Sequence, residues 1–318
     1  MRLLILGGTV FLGRSVAETA LAAGADVTLF TRGRTHPGAV PGAHRLTGDR
    51  AGDLAALREG EWDLVVDTSG FVPRDVLAGA RLLEGRAARY VFVSSVNAYP
   101  GWPDESGIDE ASPVHECAPD AGPEDGDYGK LKVGCERAVL SVFGPERTLV
   151  ARAGTLVGPH ENVGRLPAWI ERAERGGPLL APAPPERPVQ LLDARDLAAW
   201  MLEPDRTGTF NALGPDATFA ELVDALGAAD RVVWKTDDEL TAAGVEPWTG
   251  LTFWLPEADG PGAMRADGRA AAIRTRPLAE TVADTRRWLL EAGGRDEMAA
   301  APPARGGAEI LDDAYFLK

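Results

Sequence analysis

Residues 2–13, RLLILGGTVFLG, decide the fold: four apolar residues, Leu3 to Leu6, run into Gly7 and Gly8, and a third glycine follows at Gly13. A short unbroken apolar run predicts a strand buried on both faces, as in a parallel sheet. Glycines directly after it permit a tight turn and let a pyrophosphate approach the backbone N–H groups that open the next helix. A plain strand-to-helix turn has similar glycines, so their place immediately after a buried strand carries the reading. The stretch therefore predicts the first unit of a dinucleotide-binding domain, with Gly7, Thr9, Phe11, Leu12 and Gly13 forming the cradle.

Working outward, β-rich runs recur at 26–30, 44–47, 63–67 and 89–95. Segments of helical spacing separate them, such as 14–23 closed by Gly24 and 73–83 closed by Gly85. Strand and helix in regular alternation predict an α/β fold, a Rossmann-type doubly wound parallel sheet. The Pro-, Asp- and Glu-rich stretch at 108–126 predicts a long surface loop, with a lid as its expected role. A helix over 127–143 and a strand over 147–152 follow. Segments 189–202 and 208–213 look like returns to the sheet. The reading is a Rossmann domain over 1–154 with 188–213 returning to it, and a smaller C-terminal substrate lobe from 155–187 and 214–293. Residues 294–318 form a flexible tail, because GGRDEMAAAPPARGGA (293–308) is poor in apolar side chains; ILDDAYFLK at its end is apolar enough to dock.

Of 318 residues, 45% are hydrophobic and 25% charged, enough for a sizeable core, and the formal net charge is −15. Nucleic-acid affinity rests on clustered Lys and Arg, so that charge argues against such a partner. Cys117 and Cys135 show no disulfide pattern, Met1 leads straight into a strand, and no apolar run approaches a membrane span. A cytoplasmic protein acting on a small molecule is expected.

Thr31-Arg32-Gly33-Arg34 follows the second strand, where a carboxylate would select NAD through its ribose hydroxyls. Arg32 and Arg34 instead suit a 2′-phosphate, which favours NADP(H) over NAD(H); two solvated loop arginines are the plainer alternative. Asp49 and Arg50, after the third strand, are candidates near the adenine. Tyr128 and Lys132 in YGKLK stand one helical turn apart on one face, where an ammonium would lower the pKa of a phenol acting as acid or base. Ser94 and Ser95 end the fifth strand, at the carboxyl edge where open α/β sheets bind ligands. His36, His44, His115 and His160 have no metal-ligand spacing, and no G-x-S-x-G is present. Trp248 and Trp254 in EPWTGLTFWLP line a substrate pocket or, as is more common, fill a core.

Together GGTVFLG (7–13), Gly48-Asp49, VFVSSVNAY (91–99), IDEASP (108–113), YGKLK (128–132), RAGTLVGP (152–159), LLDARDLA (191–198) and RTRPLAETVADTRRWL (274–289) resemble the extended short-chain dehydrogenase/reductase superfamily, the NAD-dependent epimerase/dehydratase family. The resemblance implies dimerisation through helices, Tyr128 as general acid or base, Lys132 on the nicotinamide ribose, and Ser95 on the substrate oxygen. Val10 replaces the family's middle glycine, which predicts an altered hold on the pyrophosphate. An arginine that grips the diphosphate in nucleotide-sugar members would fall at Val189; Arg187 lies two residues earlier. The TRGR loop is similar to that of chloroplast-stem-loop-binding-like members, whose RNA binding the acidic composition disfavours. The expected activity is NAD(P)-dependent hydride transfer at a carbonyl or hydroxyl. Alternatives are a redox-neutral epimerase or dehydratase of a nucleotide-sugar-like substrate, and a non-catalytic dinucleotide sensor.

Overall fold

A computed structural model of the chain describes residues 1–257 and 265–300. The apolar run that opens the sequence forms β1 (Arg2–Leu6), buried between β2 (Asp26–Thr31) and β4 (Trp62–Asp67). Adding β3 (His44–Thr47), β5 (Ala87–Ser95), β6 (Thr148–Ala153) and β10 (Gly208–Ala212) gives a seven-stranded sheet ordered β10-β6-β5-β4-β1-β2-β3, parallel throughout. Side chains alternate between its faces. Leu3, Ile5, Leu29 and Val66 pack under α1 (Phe11–Ala22) and α5 (Ala194–Met201). Leu4, Leu6, Val65 and Phe92 pack under α2 (Pro73–Leu83) and α3 (Tyr128–Phe143). Both faces are thereby removed from water, which explains the unbroken apolar strands.

A second core lies around Trp169, Phe219 and Trp254. It is built from α4 (Arg165–Arg175), α6 (Phe219–Ala225), α7 (Asp237–Ala242) and α8 (Leu278–Glu291), the two-stranded sheet of β8 (Leu179–Pro182) and β12 (Val232–Lys235), and β9 (Pro188–Asp193) between β7 (Thr155–Val157) and β11 (Asp216–Thr218).

Two expectations differ from the structure. The return at 188–213 holds for α5 and β10 but not for β9: β10 takes the sheet edge beside β6, while β9 sends Val189 and Leu191 into the second core and Leu192 into the first. Residues 294–300 of the expected flexible tail form α9 (Gly294–Ala300), held by Glu297, which accepts from Arg14 at 3.1 Å, from the Trp288 indole at 3.1 Å, and bonds His160 at 3.1 Å. Part-buried polar contacts and the packing of Met298 on the second core hold the segment despite its few apolar side chains; ILDDAYFLK lies outside the described residues. Residues 108–126 form a long connection that is hydrogen-bonded to the rest of the chain along its length. Ile108 O accepts from Asp267 N, Glu110 from Asn211 N, Cys117 O from Arg137, and Ala121 O from Arg74 N at the start of α2.

Candidate active site

Gly7 and Gly8 adopt φ of +111° and +102°, which an L side chain resists, and so turn the chain from β1 into α1. A Cβ on Gly13 would lie 2.7 Å from the Gly8 nitrogen, so helix and turn touch backbone to backbone. No side chain caps the N-terminus of α1, which leaves its first N–H groups for an anion. Thr9, Phe11 and Leu12 are buried, so these residues offer backbone rather than side chain to a ligand. Val10 is extended, with φ −134° and ψ 138°, a conformation natural to a β-branched residue. The turn therefore accommodates the missing glycine without strain at that position; the unusual backbone falls on Phe11, at φ +39°.

Arg32 and Arg34 are exposed beyond the end of β2, and neither guanidinium has a hydrogen-bond or ion-pair partner among the described residues. Asp49 is partly buried, and its carboxylate accepts from Ala51 N at 3.1 Å. The uncapped helix and the glycine turn lie after β1, and Arg32 and Arg34 lie after the neighbouring β2, so all of them stand at the same carboxyl edge of the sheet. Arg50 is corrected. Its guanidinium turns inward and meets Asp67 through two 2.8 Å bonds and Ser69 Oγ at 3.1 Å. Asp67 is wholly buried at the end of β4; burial would raise its pKa, but the Arg50 charge and bonds, with the Tyr90 hydroxyl at 2.9 Å, hold it below the usual range. Without Arg50 that carboxylate would be a buried, unpaired charge, and this demand outranks a ligand's.

Asp127 caps α3 by accepting from Lys130 N at 3.0 Å, and so makes Tyr128 its first residue. Gly129 explains how that helix end reaches the sheet: a Cβ there would lie 2.0 Å from the Asn97 carbonyl oxygen, so only glycine lets α3 rest on the turn at Val96–Ala98 that follows Ser95. Ser95 is buried; its Oγ donates to Asn97 Oδ1 at 2.9 Å and accepts from Asn97 N. Lys132 is buried with Nζ donating to Gly70 O at 2.8 Å and Val93 O at 2.7 Å, 5.9 Å from the Tyr128 ring centroid. An ammonium carries three N–H donors, and two are thus fixed on the scaffold. Among the described residues the half-buried Tyr128 hydroxyl has no hydrogen-bond partner.

Several contributors escaped the sequence reading. Phe71, an exposed apolar side chain, stands 6.5 Å from the Tyr128 ring and 5.1 Å from Lys132 Nζ. Behind the site, Glu136 accepts from Arg152 at 2.7 and 3.0 Å and from Ser94 Oγ, Arg152 donates to the Tyr99 hydroxyl at 2.9 Å, and Tyr99 donates to Asn211 Oδ1 at 2.7 Å. The signal was available for Glu136, which follows Lys132 by four residues on the same helical face. Arg187, near the position of the family's diphosphate arginine, is bound to Asp237 at 2.7 Å and Leu255 O at 2.9 Å and so is structural. The two tryptophans separate: Trp254 is fully buried, its indole donating to Asp237 at 2.8 Å, whereas Trp248 is only partly buried.

The family model described as "NAD dependent epimerase/dehydratase family" matches residues 3–204. The dTDP-6-deoxy-L-talose 4-dehydrogenase (NAD(P)(+)) of Kitasatospora kifunensis is 29% identical over 202 residues, 55% of this chain and 60% of that protein, so the match spans less than two thirds of the relative. The Bordetella bronchiseptica enzyme WbmH, solved with NAD+, aligns with a TM-score of 0.63 at 19% identity over 92% of this chain and 99% of that one. UDP-glucuronic acid 4-epimerase from Bacillus cereus, solved with NAD, gives 0.63 at 14% identity over 91% and 98%. At such identities the structures are alike in fold.

Proposed function

The chain belongs to the NAD-dependent epimerase/dehydratase family, and from that premise we propose that it is an NAD(P)-dependent oxidoreductase that interconverts a carbinol and a carbonyl on a sugar-like small molecule. The observation that carries this reading is the Tyr128 hydroxyl without a protein partner, one turn from Lys132, whose ammonium is fixed on Gly70 O and Val93 O. The nicotinamide, when bound, supplies the hydride acceptor or donor. The chain's own residues do the rest. The glycine turn and the α1 N-terminus hold the pyrophosphate, and Arg32 and Arg34 hold a 2′-phosphate, which makes NADP(H) the preferred form. Lys132, with two of its N–H groups on the scaffold, would hold the nicotinamide ribose with the third. Tyr128 removes the hydroxyl proton as hydride leaves, or returns it in reduction, and Ser95 orients the reacting oxygen.

Net redox turnover is favoured over the redox-neutral reactions of the family because the curated relative is a dehydrogenase. Two measurements test the proposal. Titration with NADPH and NADH, followed by tryptophan quenching, is expected to show micromolar binding with NADPH preferred. Turnover of dTDP-6-deoxy-sugars, read as net change in NAD(P)H, is expected to fall about 10²- to 10⁴-fold in Tyr128→Phe with cofactor affinity intact. A Tyr128→Phe variant that turns over at the wild-type rate refutes the assignment.

A further inference from the structure

We propose that α9 is a gate on the path of the dinucleotide, a short helix that swings away when the cofactor enters or leaves and returns to the same place. This rests on the reading of the glycine turn and the Arg32 and Arg34 loop as the cofactor site. Val10 of that turn and His36, two residues beyond Arg34, line one narrow crevice with His160, Trp288, Glu297 and Met298. Val10 and Arg14 are four residues apart and share one face at the start of α1. α9 lies against that face, where Glu297 accepts from Arg14 at 3.1 Å. A pyrophosphate at the start of α1 and a 2′-phosphate at the end of β2 stand at one edge of the sheet. A dinucleotide joining them therefore passes the residues on which α9 is docked.

The way α9 is held suits a part that moves. Seven residues are too few for a helix that is stable alone, so its contacts decide whether it forms. Met298 is its apolar anchor on the second core, and Gly164 leaves room for it, since a Cβ there would lie 3.2 Å from Met298 Cε. The other attachments are polar. Glu297 takes Arg14, the Trp288 indole and His160 Nδ1, each at 3.1 Å, and Arg295 donates to Glu171 at 2.7 Å. Bonds of this kind are exchanged for bonds to water at a small net cost, so α9 can open while both cores stay folded. Gly293, at φ +76°, is the joint to α8.

Glu297 is the catch of this gate, because its three partners belong to α1, to α8 and to the connection between β7 and α4. Its oxygens are occupied by those donors, and as an anion it offers nothing to a phosphate. α9 therefore obstructs the cofactor without binding it. A ligand with equal affinity for the open and closed positions shifts neither, so the gate slows entry and exit by one factor and leaves the equilibrium constant alone.

The test is stopped-flow fluorescence on the full chain. Association is read from tryptophan quenching on mixing with NADPH, and dissociation from displacement of bound NADPH by excess NADP+. Glu297→Ala is expected to raise both rate constants about 10-fold, the loss of charge-assisted bonds, with Kd within about twofold of wild type. Met298→Ala loosens α9 without touching those bonds and is expected to raise both rates by a smaller common factor, which keeps the test open if Glu297→Ala folds poorly. Unchanged rates in both variants, or a change in one rate constant without the other, overturns the proposal. Failure of the wild-type chain to bind either NADPH or NADH would instead overturn the cofactor reading on which the gate rests.

Discussion

Glu136→Gln gives a direct measure of how strongly the polar layer behind the site is held. The Glu136 and Arg152 side chains are 5% and 8% exposed, joined by bonds of 2.7 and 3.0 Å. The amide keeps the shape, removes the negative charge, and replaces one acceptor oxygen with a donor facing the guanidinium. Arg152 remains charged, its pKa lowered by burial and raised further by Glu136 and the Tyr99 hydroxyl to a net increase, so the variant strands a buried cation. That costs about 3–5 kcal/mol. With a urea slope of about 3 kcal/mol/M, the unfolding midpoint is expected to drop by roughly 1–1.7 M. The double variant Glu136→Leu, Arg152→Met removes both charges and is expected to regain most of the loss. Equilibrium urea unfolding followed by far-UV circular dichroism decides it. A Glu136→Gln midpoint within about 0.3 M of wild type would refute the reasoning.

Gly129→Ala places a methyl 2.0 Å from the Asn97 oxygen; an ordinary C···O contact is about 3.3 Å, so α3 must retreat by about 1 Å, and turnover is expected to fall up to about 10²-fold. The gain in helix propensity, about 1 kcal/mol, keeps the stability loss small, so turnover and melting are expected to diverge. Arg32→Ala with Arg34→Ala is expected to weaken NADPH at least about 10-fold and leave NADH nearly unchanged, read by the same fluorescence titration; equal losses for both cofactors would remove the 2′-phosphate assignment. Glu297 carries an acid-sensitive contribution. Burial would raise its carboxyl, but bonds from His160 and Trp288 hold it at about 2, so its stabilisation is complete above about pH 4.5 and lost as pH falls towards 2. After allowance for partial solvent screening this is about 1–2 kcal/mol, expected to be absent from the pH profile of Glu297→Gln melting.

How far the fold could be read depended on whether the information was local. Leu3 to Leu6 and Tyr90 to Val93 announce buried parallel strands because such strands have no wet face. Tyr128 and Lys132 show as a pair because four residues is one helical turn. What stayed hidden is decided between distant segments. Arg50 looked free for a ligand until Asp67 met it; Lys132 took the carbonyls of Gly70 and Val93, which no side-chain pattern reveals. The strand character of 188–193 was visible, but not which sheet it joins, since that depends on which segment fills the edge of β6. The helix at 294–300 is stabilised by Arg14, 283 residues away, so its own composition could not announce it.

The interleaving of α5 and β10 with the second core constrains how this protein can be taken apart or recombined. A truncation after β6 would strip α1 of its neighbour α5 and expose the β6 edge that β10 covers, a bare parallel edge prone to association with other chains. Neither half can therefore be excised as one continuous fragment of the gene. A chimera meant to carry a different second core on the same seven-stranded frame would have to exchange β7 to β9 and the segment beyond β10 together, while keeping 194–212 in place. The inserted piece must also supply the β9 surface on both sides, since Val189 and Leu192 serve different cores. Variation in such an architecture is expected to proceed by single substitutions rather than by shuffling whole lobes.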